Sequence, residues 1–259
     1  AYYERMRYMK VLKAFVIAFS LYSAIPMPQF IWEEEDMRYV LCFFPWIGAV
    51  IGALLYGWGM IARSWGIGIL CYSCIGAAIP LMVTGGFHVD GFMDTMDAFQ
   101  SYQPRERKLE ILKDSHIGAF SVIMLGLYAL IYIGAFSEIK DIRALAVVGA
   151  GFFLTRVLSG LAVVMFPTAK KEGMLFWFAS GSQKRIVIVA LLLQGIACMA
   201  FMLYQSCVYG VFVGGTAVFH HGQFLSAGEV FHRFFTHIQH GTNLGHIHAA
   251  EIGHRLKTA

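Results

Sequence analysis

The sequence predicts an all-α fold: a polytopic integral membrane helical bundle of about five to seven membrane helices, with a short re-entrant or interfacial N-terminal helix. Three observations predict it. Of 259 residues, 58% are hydrophobic and only 14% charged, against roughly 25% charged in a soluble domain, and the mean hydropathy is +0.62. Apolar residues come in runs long enough to cross a bilayer. Glycines recur inside those runs, as at Gly48, Gly52 and Gly57, which is how membrane helices approach closely.

The N-terminus is basic (Arg5, Arg7, Lys10, Lys13), and its apolar stretch, residues 11–25, already contains Lys13. Fifteen helical residues rise only about 22 Å against a hydrocarbon core of about 30 Å. This stretch is therefore expected to turn back at Pro26 and Pro28 rather than cross, and no cleavable signal peptide is expected. An acidic patch follows, Glu33-Glu34-Glu35-Asp36. The expected spans are residues 39–62, 66–83, 117–136, 145–166 and 186–209. Residues 1–215 read as one membrane transferase domain and 216–259 as an atypical tail, which holds eight of the ten histidines.

The net charge of +4 is gathered in short clusters between apolar runs, a pattern of membrane orientation with no nucleic-acid partner. The basic clusters all face one side if residues 11–25 do not cross, which places residues 84–116 at the cytoplasmic face of a bacterial inner membrane. The five cysteines lie in apolar runs. Cys71 and Cys74 have CxxC spacing but no second pair, so all five are expected to be buried free thiols.

Asp90, Asp94 and Asp97 stand at i, i+4 and i+7 in a hydrophilic connection, so on a helix their carboxylates share one face. Like charges so close call for a cation. Mg²⁺ suits them, because it takes one or two carboxylates with the oxygens of a substrate phosphate. Gly85-Gly86 permits a turn and a close backbone approach to phosphate; it also serves simply to end the preceding span. His88 is a candidate base or phosphate contact, and equally an interfacial histidine. Lys113, Asp114 and Ser115 stand where the chain re-enters the membrane, placed to complete a phosphate and metal site. Arg156, inside an apolar span, needs an anionic partner or a polar cavity. Lys170 and Lys171 read first as positive-inside anchors.

The run Gly85-Gly86-Phe87-His88-Val89-Asp90-Gly91-x-x-Asp94-Thr95-x-Asp97, followed by Arg107-x-x-Glu110-Ile111-x-Lys113-Asp114-Ser115-x-x-Gly118, resembles cobalamin synthase, the adenosylcobinamide-GDP ribazoletransferase family. Ile25-Pro26-Met27-Pro28, Phe44-Pro45-x-x-Gly48 and Pro167-x-Ala169-Lys170-x-x-Gly173 match in the same order. The resemblance covers residues 15 to 180. It implies the last joining step of coenzyme B12 assembly, in which a ribose hydroxyl of α-ribazole or its 5′-phosphate attacks adenosylcobinamide-GDP and GMP leaves. Mg²⁺ would be held by Asp90, Asp94 and Asp97, with Asp114 as a further contact. Gly85, Gly86, Lys113, Ser115, Arg156 and Lys170 would bind substrate. Asp97 or His88 would take the proton, with Asp94 also catalytic. A homo-oligomer is compatible with the sequence.

One departure stands out. Members usually carry Gly-Gly-x-Thr-Gly-Asp before a final apolar helix, whereas Gly214-Gly215-Thr216 here continues as Ala217-Val218-Phe219-His220-His221, as in a replaced or out-of-frame terminus. Among rivals, a CDP-alcohol phosphatidyltransferase would want Ala-Arg where Phe92-Met93 stands, and a prenyltransferase a second Asp-rich motif. A cation transporter would want its carboxylates at mid-span.

Overall fold

The computed structural model describes residues 2–29, 31–111, 116–166 and 181–218. Among them every element is helical: α1 (Tyr2–Tyr22), a 3-10 turn (Glu34–Tyr39), α2 (Val40–Ser64), α3 (Ile69–Thr84), α4 (Phe87–Gln100), α5 (Arg105–Ile111), α6 (Ala119–Ser137), α7 (Ile142–Met165), α8 (Lys184–Gln205) and α9 (Cys207–Val218). Four helices, α2, α6, α7 and α8, are long and apolar enough to cross a membrane. The α3–α4 pair, bent by 95°, makes a fifth if it counts as one span. The polytopic helical bundle is borne out.

The central seam is α2 against α7. Gly48 and Gly52 let the two backbones touch: a Cβ on Gly48 would overlap the Phe152 carbonyl, and one on Gly52 would lie 2.7 Å from Gly149 O. The helices run antiparallel, and Arg63 Nη2 donates to Lys140 O (2.6 Å) where α2 ends and α7 begins. α8 packs on α7, with Leu191 over Gly160. At the other end Tyr39 Oη donates to Gln183 Oε1 (2.8 Å) and Gln183 N–H to Arg38 O (3.1 Å), so α2 and α8 start side by side.

α1 does not qualify as a crossing helix, yet it buries Ala14, Ile17 and Ala18 completely against α2 and its neighbours. The acidic patch explains its lysines. Lys13 pairs with the buried Asp36 (3.3 Å) and Lys10 with Glu35 (3.1 Å), so the cations dock α1 onto the entry to α2. The chain then turns, and Ala24 N–H donates to Val83 O (2.8 Å) at the end of α3.

Two expectations need correction. Residues 186–209 are not one span: Ser206 is extended and ends α8, while its Oγ accepts from Tyr209 N–H (3.4 Å) and opens α9. A serine N-cap inside an apolar run is what hydropathy missed. α9 doubles back, with Gly210 close against Met202 O. The cysteines are not all buried either. Cys198 is, but Cys71, Cys74 and Cys207 are exposed. Helices such as α6, only 11% buried at a hydropathy of 2.1, turn their apolar side chains outward, and sequence does not separate a protein interior from lipid. The tail from residue 219 lies outside the described residues.

Candidate active site

The hydrophilic connection after α3 is itself helical. Gly85 and Gly86 both have left-handed backbones, φ 66° and 79°, a region that glycine enters at no steric cost. Gly86 N–H donates to Leu81 O (3.2 Å), closing α3, and Gly86 O accepts from Val89 and Asp90 N–H (2.8 and 2.9 Å), starting α4. These two residues make the 95° bend. The fourteen residues of α4, with three carboxylates among them, are not a crossing segment in their own right.

At about 100° per residue, Asp90, Asp94 and Asp97 fall within an arc of about 60° on α4. Asp90 and Asp94 are exposed and Asp97 is half-buried. Asp97 has partners: Oδ2 accepts from Gly118 N–H (2.7 Å) and Oδ1 from Ser121 N–H (2.9 Å), at the start of α6. Partial burial pushes the Asp97 carboxyl up, but hydrogen bonds from Ser121 and Gly118 outweigh it and hold the group below the usual aspartate range. Ser121 Oγ itself donates to Gly118 O (2.7 Å).

His88 lies about 160° around α4 from Asp90. His88 is exposed; partial desolvation of its ring, and then the charge of Arg156, hold its imidazole below the ordinary value. Arg156 itself is only 7% exposed. Its Nη1 donates to Phe152 O (2.9 Å) one turn back, while its Nε has no hydrogen-bond partner among the described residues. The structure thus groups the three aspartates on one face of α4 and sets His88 on another, within reach of the charge of Arg156. α5 stays near through Lys108, whose Nζ donates to Phe99 O (3.2 Å). Lys113, Asp114, Ser115 and Lys170 lie outside the described residues.

Among the described residues, no three of His, Cys, Asp and Glu form a set that holds a metal by themselves. Mg²⁺ needs no such set: two exposed carboxylates one helical turn apart, with phosphate oxygens and water, fit its chemistry. Ser121 was not singled out from the sequence. The available signal was its place three residues after Gly118, at the head of an apolar run, where a helix start leaves N–H groups without partners.

The model of the cobalamin-5-phosphate synthase family matches residues 14–236. The chain belongs to this family. The bend, the aspartate face, Gly118, Ser121 and Arg156 all fall inside the matched stretch. Relatives named adenosylcobinamide-GDP ribazoletransferase include one from Lachnoclostridium phytofermentans, 42% identical over 203 residues, which cover 78% of this chain and 77% of that one. Another, from Clostridium perfringens, is 32% identical over 183 residues, 69% of this chain and 72% of its own. One from Listeria monocytogenes is 28% identical over 221 residues, 78% and 86% of the two chains. No solved structure matches. The resemblance read from the motifs is borne out, and the chain is an enzyme of the cobalamin-5-phosphate synthase family.

Proposed function

We propose that this enzyme joins adenosylcobinamide-GDP to α-ribazole or its 5′-phosphate, releasing GMP and forming adenosylcobalamin or its 5′-phosphate. The observation that carries the reading is the exposed Asp90–Asp94 pair on α4, beside a bent apolar helix, in a chain matched by this family over most of its length. A ribose hydroxyl oxygen attacks the phosphorus that bears cobinamide. The new P–O bond forms as the bond from that phosphorus to the GMP oxygen breaks, and the hydroxyl proton passes to a base.

Asp90 and Asp94 would hold Mg²⁺, with Asp114 as a further contact. Bound there, the ion would neutralise the diphosphate and stabilise the departing GMP phosphate. His88 is our first choice of base, because it is exposed at the start of α4 and an imidazole nitrogen accepts a proton near neutral pH. Arg156, buried with an Nε that has no partner among the described residues, suits a phosphate oxygen entering beside it. Lys113, Ser115 and Lys170 are further phosphate contacts in this reading, with Gly85 and Gly86 admitting the substrate closely. The site faces the cytoplasm of a bacterial inner membrane. In support, Arg38, Lys184 and Arg185 lie where α2 and α8 start together, Lys10 and Lys13 dock beside them, and Arg105, Arg107 and Lys108 lie between α4 and α6, against Arg63, Lys140 and Arg143 at the other end; cytoplasmic ends carry such excess.

The purified protein, given adenosylcobinamide-GDP, α-ribazole and Mg²⁺, is expected to release GMP, and a transporter would not. Asp94→Asn changes an exposed residue, so folding is expected to survive while turnover drops at least about 100-fold. Near-normal turnover of that variant sinks the assignment.

A further inference from the structure

We infer that Asp97 is a positioning residue: with Gly118 and Ser121 it forms a clasp that fixes how α4 presents Asp90 and Asp94. The inference rests on the proposed role of those two carboxylates. Three features of the structure carry it.

Both Asp97 oxygens are already engaged by N–H groups at the start of α6 (2.7 and 2.9 Å). Such groups lack partners within their own helix, and hydrogen bonds from them to a carboxylate are charge-assisted and strong. The same helix start carries partial positive charge, which disfavours a second cation at Asp97. One turn away, at Asp94, the repulsion is weaker.

Gly118 points the same way. Its backbone, φ −86° and ψ 163°, is one that any residue adopts, so no conformational demand selects glycine. Space does: a Cβ there would overlap the Asp97 carboxylate. The glycine is shaped to the clasp.

The other contacts of α4 are less directional. Ala98 is its one buried residue among those whose burial is described, and Val89, Phe92, Met93 and Met96 form only a half-buried apolar stripe beside it. Phe92 packs on Tyr128 of α6 (ring centroids 5.7 Å), and the glycine bend fixes the other end. The clasp supplies the remaining constraint, within one turn of Asp94.

The test is Mn²⁺ binding, followed by electron paramagnetic resonance on the full-length protein in detergent, alongside GMP release. Asp90→Asn and Asp94→Asn are expected to weaken Mn²⁺ binding at least about tenfold. Asp97→Asn, Asp97→Ala and Gly118→Ala are expected to bind it within about threefold of the wild type, while turnover falls. Asparagine keeps one acceptor, so the loss should be about tenfold in Asp97→Asn and nearer 100-fold in Asp97→Ala. The Asp97→Ala/Gly118→Ala double variant should turn over no more slowly than Asp97→Ala alone, because removing the carboxylate makes room for the methyl group. If Asp97→Ala is not monodisperse, Asp97→Ser, which retains a short acceptor, takes its place. Loss of Mn²⁺ binding in Asp97→Asn, matching Asp94→Asn, overturns the inference and leaves the metal reading standing. Unchanged binding in both Asp90→Asn and Asp94→Asn overturns the metal reading, and the clasp's role falls with it.

Discussion

The α2–α7 seam and the α4–α6 junction hold two helices together by opposite means. In the seam, Gly48, Gly52 and Gly149 remove side chains until backbones touch, and close packing carries the contact. At the junction one carboxylate spans the gap and takes two N–H groups. The difference follows from the surroundings. Lipid is as apolar as leucine, so helices within it gain by shape and dispersion. α4 mixes three carboxylates with a half-buried apolar stripe, and directed hydrogen bonds fix its polar face. The seam gives the protein its body, and the junction orients its chemistry.

Gly48 is the position where a side chain would do the most harm to the seam. Gly48→Leu drives a side chain into the backbone of α7, which cannot yield as a flexible side chain would. A loss of about 3 kcal/mol is expected, read as a large drop in melting temperature or failure to recover monodisperse protein. An unchanged melting temperature would show that the seam is not close-packed.

Arg156 places a polar demand on α7, the helix that otherwise packs by apolar contact. Arg156→Met removes a buried cation that has no carboxylate partner among the described residues. The melting temperature is therefore expected to hold or rise, while GMP release falls at least about tenfold. A marked fall in stability with normal turnover would make Arg156 structural.

The smallest effect belongs to Gly57, on α2 but with nothing within 4 Å of a built Cβ. Gly57→Ala should leave activity intact and stabilise the helix by up to about 1 kcal/mol. Destabilisation would reveal a neighbour at that surface.

Local signals were read well from the sequence, and distant ones were not. The spans were legible because hydropathy is a local sum, and the shared face of the aspartates because i, i+4, i+7 is a helical period. The α8–α9 break was hidden since one serine hardly alters that sum. Asp97's partners lie 21 and 24 residues away, and no periodicity joins an acid on one helix to N–H groups on another. Nor does periodicity say that the charge of Arg156 reaches His88, across some seventy residues of chain. Gly118 stood in the family motif, but its reason became visible only with the carboxylate beside it.

The bend between α3 and α4 turns in a left-handed sense. Gly86 sits at φ 79° with nothing within 4 Å of a built Cβ, so space does not forbid a side chain there; the backbone's mirror sense does. A D-alanine placed at position 86 by chemical ligation should therefore be accepted and even stiffen the corner. L-alanine at the same position would resist the turn by about 1–2 kcal/mol. The direction in which α4 carries its aspartates depends on a residue with no chirality of its own.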